Sequence, residues 1–212
     1  MSNLFPHFPV FLDLTGRSVV LIGGDAGQAA LARQMLAAGA GVTVFDVAPS
    51  DAMRAQAPPV RLKLRRWRGS DFKGASLVIA AAHEARTQRA RLAAHAAQAL
   101  FHQVETPEHS DIALGGVAGS GGLAIGVSAQ GAPPALAEAV RARLEQALPL
   151  GLADFLDAAA RARGEVERRI APVSRDAFWS ALGEAAFEAK LSGAAQWDAF
   201  IAAQIASAER AL

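Results

Sequence analysis

Two glycines near the start of the chain could bring backbone close to a phosphate. In "SVVLIGGDAGQAALARQMLAAGAGVTVFD", residues 18–46, Gly23 and Gly24 follow an apolar run. A dinucleotide-binding turn needs glycine for a tight bend, glycine where pyrophosphate nears the backbone, and a small residue where helix meets strand. Gly23 and Gly24 supply the bend. Asp25 occupies the close-approach position, and Ala26 and Gly27 complete the turn. A carboxylate there repels pyrophosphate unless it turns aside to cap the following helix through backbone N–H groups. Asp46 lies about 20 residues further on, where an acid accepts ribose hydroxyls. An acid also repels a 2′-phosphate, so Asp46 favours NAD over NADP. The same pattern suits a plain glycine turn in an α/β domain that binds no nucleotide.

A second cluster, "HQVETPEHSD", holds His102, Glu105, Glu108, His109 and Asp111. Residues just past the carboxyl ends of parallel strands face the ligand crevice. Glu105 is placed there as a general acid or base, and His102 could assist it or ligate a metal. Solvated loop charge is the alternative. A third set is basic: Arg61, Lys63, Arg65, Arg66, Arg68, Arg86, Arg89 and Arg91. Such cations could hold a polycarboxylate, or they are a solvated strand face and helix surface.

The elements that must position these residues are legible in the apolar spacing. "SVVLI" (18–22), "GVTVF" (41–45) and "SLVIAAA" (76–82) read as buried strands. "VRLKLRRW" (60–67) alternates like a half-solvated strand, and "LFHQVE" (100–105) is a further strand. Helical spacing over 26–38 stops at Gly39. A short, weak helical segment is punctuated by Pro49 and Pro58-Pro59, and "RTQRARLAAHAAQA" is helical. Alternating strands and helices predict parallel βαβ units in an α/β, Rossmann-like, doubly wound sheet over residues 1–110.

Beyond that the pattern changes. Residues 111–131 contain two candidate strands around the turn Gly119–Gly122, a hairpin. The helix "ALAEAVRARLEQAL" carries Leu136, Val140, Leu144 and Leu148 on one stripe. Helices follow over 151–170, 174–190 and 194–211, with Ser174 marking one N-terminus. The expected organisation is a nucleotide-binding domain (1–110), a small dimerisation region (111–149) and an α-helical C-terminal domain (150–212).

Composition bounds the function. The chain has 212 residues, 52% of them hydrophobic and 19% charged, enough for a substantial core. A net charge of +1 gives no electrostatic case for nucleic acid. Cysteine is absent, which excludes disulfides, thiolate catalysis and cysteine metal sites. No apolar run reaches the ~20 residues of a membrane helix, and the N-terminus lacks a basic signal-peptide region. A cytoplasmic protein is expected.

The order of "FPVFLDLTGRSVVLIGG", "AGAGVTVFD", "RRWRGSDFKGASLVIAAA", "HQVETP" and "LAIGVSAQGAPPALAEAVRARLEQALP" resembles the precorrin-2 dehydrogenase and sirohydrochlorin ferrochelatase family, which includes the N-terminal part of sirohaem synthase. "SRDAFW" in the helical tail fits as well. The resemblance implies NAD-dependent oxidation of precorrin-2 to sirohydrochlorin, with metal chelation in some members, by an interleaved homodimer. It implies that Glu105 matches a catalytic aspartate, that Gly23, Gly24, Asp25, Ala26, Gly27 and Asp46 meet the cofactor, and that Ala82 and His83 border its nicotinamide side. It places His102, Pro107, Ser128 and Gln130 toward the tetrapyrrole.

Several positions depart from the family pattern. The third of three successive glycines is Asp25, the valine and alanine that follow are Gly27 and Gln28, and a threonine-aspartate pair is Ala82-His83. The catalytic aspartate is Glu105, and hydroxyl residues are replaced by Ala129 and Pro133. These changes gather on the cofactor and substrate loops. The alternative function is therefore a diverged, non-catalytic tetrapyrrole- or metal-binding paralogue.

Overall fold

The computed structural model describes residues 8–81, 86–104, 110–119, 122–128, 134–189 and 191–210. The chain divides into two compact units, Met1–Leu114 and Gly115–Leu212.

The first unit is built on five parallel strands. They are β1 (Ser18–Ile22), β2 (Gly41–Phe45), β3 (Arg61–Lys63), β4 (Ala75–Ala80) and β5 (Leu100–Gln103), in the order β3-β2-β1-β4-β5. The central strand β1 is apolar on both sides because helices cover both faces. Val19 and Leu21 pack with Ala29, Ala32 and Met35 of α1 (Ala26–Ala37). Val20 and Ile22 pack on the opposite face with Ala90 and Ala94 of α3 (Thr87–Ala96). Each fully buried branched side chain is worth about 1.5–3 kcal/mol, so this sheet dominates the unit. The expected helix stop holds: Gly39 N–H donates to the Leu36 carbonyl and Ala40 N–H to that of Met35, the paired bonds that close a helix through a left-handed residue. The short α2 is Asp51–Arg54.

Three strands are shorter than the sequence pattern predicts. The alternation over 60–67 pairs with β2 only at Arg61–Lys63. The backbone then turns away, and Arg65 N–H takes the Lys63 carbonyl at 2.7 Å. Trp67 is buried, but against Phe72, with ring centroids 5.1 Å apart, rather than in the ladder. β4 runs Ala75–Ala80 instead of 76–82, with Ala81 adding one bond to the Ile22 carbonyl. β5 ends at Gln103 instead of 105. Its outer edge is lined by the returning chain: Asp111 N–H donates to the Phe101 carbonyl, and the Asp111 carboxylate accepts from Phe101 N–H.

The second unit starts with the expected hairpin, antiparallel β6 (Gly116–Ala118) and β7 (Ile125–Val127). Four helices follow: α4 (Pro134–Ala147), α5 (Leu152–Arg169), α6 (Arg175–Glu188) and α7 (Ala194–Arg210). α5, α6 and α7 enclose a core of Phe155, Val166, Leu182, Trp197, Ile201 and Ile205. Ser174 is at the start of α6, but its side chain makes no capping bond. Leu136, Val140 and Leu144 of α4 are exposed. Among the described residues, no helix is long and apolar enough to cross a membrane.

Candidate functional site

The strand order reverses between β1 and β4. The chain builds outward through β2 and β3, then returns to the other side of β1. Ligands of open parallel sheets bind outside the carboxyl ends of the strands at such a point. Gly23 leaves β1 there with φ +100°, a conformation that favours glycine, and its N–H holds the Phe45 carbonyl at 3.0 Å.

Gly24 is glycine for a different reason. A Cβ on it would lie 2.7 Å from that of Pro49 and 3.3 Å from Asp46 Oδ2. Its N–H donates to Asp46 Oδ2 at 2.7 Å, and its carbonyl accepts from Ser50 N–H at 2.8 Å. Asp46 Oδ1 accepts from Ala48 N–H at 3.0 Å. The turn after β2 therefore lies directly on the turn after β1. Backbone donors fix the Asp46 carboxylate, and each oxygen retains acceptor capacity for a hydroxyl.

Asp25 takes the capping geometry. Its backbone is extended (φ −72°, ψ 178°), a conformation open to any residue, so nothing in the bend demands glycine there. Its carboxylate accepts from Gln28 N–H at 2.8 Å, satisfying one of the unpaired amides at the start of α1. Ala26 and Gly27 form the exposed first two positions of that helix.

The sequence marks Gln28 only as a departure from the family pattern, and its burial is a property of the fold. Counted from Gly23, the G-x-G-x-x-G spacing puts Asp25 second and Gln28 third, where a small residue normally lets helix and strand approach. Gln28 is 2% exposed, and among the described residues neither its amide nitrogen nor its amide oxygen has a hydrogen-bond partner. An unpaired buried polar group costs about 1–3 kcal/mol. The signal was a glutamine on the apolar stripe with Ala29, Ala32 and Met35.

At β5, His102 is buried on the α1 face, with its Nδ1 2.9 Å from the Ile112 carbonyl. Gln103 is buried on the opposite face, its amide oxygen unpartnered. Asp111 bonds His95 Nε2 at 2.8 Å. Of the basic set, Arg65 grips Asp71 through two bonds of 2.7 and 2.8 Å and lies over the Phe45 ring. That guanidinium holds the Asp71 carboxyl below its ordinary range. Arg86 covers the Trp67 ring at 4.4 Å. These two arginines thus serve the unit's own packing, while Arg61, Lys63, Arg66, Arg68 and Arg89 are exposed. Ser128, in the second unit, is exposed just past β7. Ala82, His83, Glu105, Pro107 and Gln130 lie outside the described residues. Among the described residues, no three His, Asp or Glu side chains group as a metal site.

A family model described as "Putative NAD(P)-binding" matches residues 10–116, which span the whole parallel sheet. The chain belongs to this NAD(P)-binding family. It is also similar to siroheme synthases. It is 32% identical to that of Escherichia coli O8 over 180 residues, 83% of this chain and 39% of that one. It is 32% identical to that of Azotobacter vinelandii over 215 residues, 89% and 45% of the two chains. With that of Nitrosomonas eutropha the identity is 29% over 186 residues, 85% and 39%. The chain thus spans less than half the length of these relatives. Among solved structures, "SirC, precorrin-2 dehydrogenase" has the same fold, with a TM-score of 0.66 at 16% identity, covering 97% of this chain and 100% of that one. The Rossmann-like sheet followed by a helical C-terminal region is therefore this chain's architecture.

The glycine turn fits a dinucleotide. The bend is tight, Asp25 is drawn onto the helix amide, the acid at β2 is fixed, and an unpaired buried amide lies at the first turn of α1.

Proposed function

We propose that this chain oxidises precorrin-2 to sirohydrochlorin with NAD, as a step of sirohaem formation. The observation that carries this reading is the glycine turn at the switch point of an NAD(P)-binding sheet, in a chain similar to siroheme synthases over most of its length. NAD would take up the hydride. Backbone of Gly23, Gly24, Asp25, Ala26 and Gly27 would line its diphosphate, and Asp46 would accept its ribose hydroxyls. Ala82 and His83 would border the nicotinamide. Glu105 would take the proton that leaves with the oxidation, and His102, Pro107, Ser128 and Gln130 would contact the tetrapyrrole. Exposed Arg61, Lys63, Arg66, Arg68 and Arg89 are the cations available to tetrapyrrole carboxylates.

The inferred working form is a cytoplasmic homodimer, with residues 111–149 as the dimerisation region and 150–212 as the helical domain. The exposed row Leu136, Val140 and Leu144 supports a covering surface on α4.

Incubating purified protein with NAD and precorrin-2 tests the reading. Sirohydrochlorin should appear by its absorbance. Its absence, under conditions where a working dehydrogenase produces it, would sink the proposal.

The second reading is a non-catalytic tetrapyrrole- or metal-binding paralogue. It is favoured by one observation, the negative Asp25 at the N-cap of α1. It predicts tetrapyrrole binding with no NAD binding, and calorimetry separates the two.

A further inference from the structure

We infer that Gln28 is a cofactor-binding residue, its buried carboxamide making hydrogen bonds to the sugar-phosphate centre of the dinucleotide. The inference rests on the NAD reading above and deepens it. Three observations meet at this residue. Gln28 occupies the third fingerprint position, counted from Gly23. Its side chain is 2% exposed, yet both amide atoms are unpartnered. Its own N–H carries the Asp25 carboxylate.

The direction of the side chain follows from helix geometry. Helical side chains lean toward the N-terminus and cover the turn that precedes their own Cα. For a residue in the first turn of α1, that preceding segment is the Gly23–Asp25 bend. In the ligand-free chain both amide atoms are closed to solvent, so the contact requires the side chain to turn outward toward the bend when the dinucleotide binds.

The chemistry of the amide narrows the ligand. Its nitrogen only donates and its oxygen only accepts. A fully ionised phosphate monoester group offers acceptors alone and would leave the oxygen unmet. A ribose joined to a diphosphate carries a hydroxyl donor beside phosphoryl acceptors and can meet both. Gln28 thereby adds a side-chain contact to those the backbone of the bend provides. It does so with a neutral group, next to a carboxylate already held aside.

The test titrates NAD into the full chain by calorimetry for wild type, Gln28→Met and Gln28→Ala, with thermal unfolding of each protein without ligand. Methionine keeps the length and removes the hydrogen-bonding atoms. Alanine restores the small residue usual at this position. Both variants should bind NAD about 10- to 100-fold more weakly. Gln28→Met should also unfold about 2–4 °C higher than wild type without ligand, because the unmet polar atoms are gone. If either folded variant binds NAD as tightly as wild type or tighter, the inference is overturned; tighter binding by Gln28→Ala would mean that the glutamine only obstructs. If wild type itself does not bind NAD, the NAD reading falls, and that result is distinct from a failure confined to Gln28. Should Gln28→Met not fold, Gln28→Ala decides the matter alone.

Discussion

At the residue scale, Asp25 does two opposing things. Its carboxylate caps α1 through Gln28 N–H, and it adds negative charge where a diphosphate would approach. Removing it should separate these effects. Asp25→Ala is expected to lower stability by about 1 kcal/mol, the usual value of an N-cap. The same change should tighten NAD binding on the order of tenfold, as one like charge is lost from a partly buried site. Denaturant unfolding and calorimetry on one preparation check both signs. A variant that loses stability without gaining affinity would show that the carboxylate already stands clear of the cofactor.

At the element scale, the short β3 and the segment after it depend on one ion pair. Arg65 stacks on Phe45 and closes on Asp71, which also accepts from Arg68 N–H at 2.7 Å. The Arg65 guanidinium, chiefly by hydrogen bonding, lowers the pKa of Asp71. A depressed carboxylate contributes stability that is fully present above its unfolded pKa, near 3.9. That contribution is lost as pH falls from there through the lower folded value. Acid titration of unfolding should therefore show a loss below about pH 4, and Asp71→Asn should flatten that limb while lowering stability at neutral pH. An unchanged acid limb would assign the loss to other carboxylates.

At the scale of the whole molecule, the prediction concerns α4. Leu136, Val140 and Leu144 recur every four residues and are 55%, 44% and 39% exposed. Arg141, bonded to Glu138 and Glu145, lies on another side of the same helix. If the row is covered by a second copy, Val140→Asp with Leu144→Asp should weaken the dimer on the order of 100-fold. Light scattering at micromolar concentration should then give the monomer mass, with helix content retained because both side chains are exposed. A wild-type monomer under these conditions would remove the dimer proposal.

The sequence by itself determined the sheet, the hairpin, the helical tail and the location of the glycine turn. Continuous apolar runs such as "SVVLI" can be satisfied only between two covered faces, and Gly39 stops a helix by local geometry alone. Tertiary structure decided where strands end and what polar groups meet. The alternation at 60–67 looked like one strand because Trp67 is buried, but its partner is Phe72, which periodicity does not reveal. Whether Asp25 faces a phosphate or a helix amide depends on a side-chain direction that spacing leaves open. The sequence marks Gln28 as a departure from the family pattern, but only the fold shows its carboxamide buried with no partner among the described residues. Local pattern specifies which face of an element is buried, whereas the partner waiting on that face is set by residues distant in sequence.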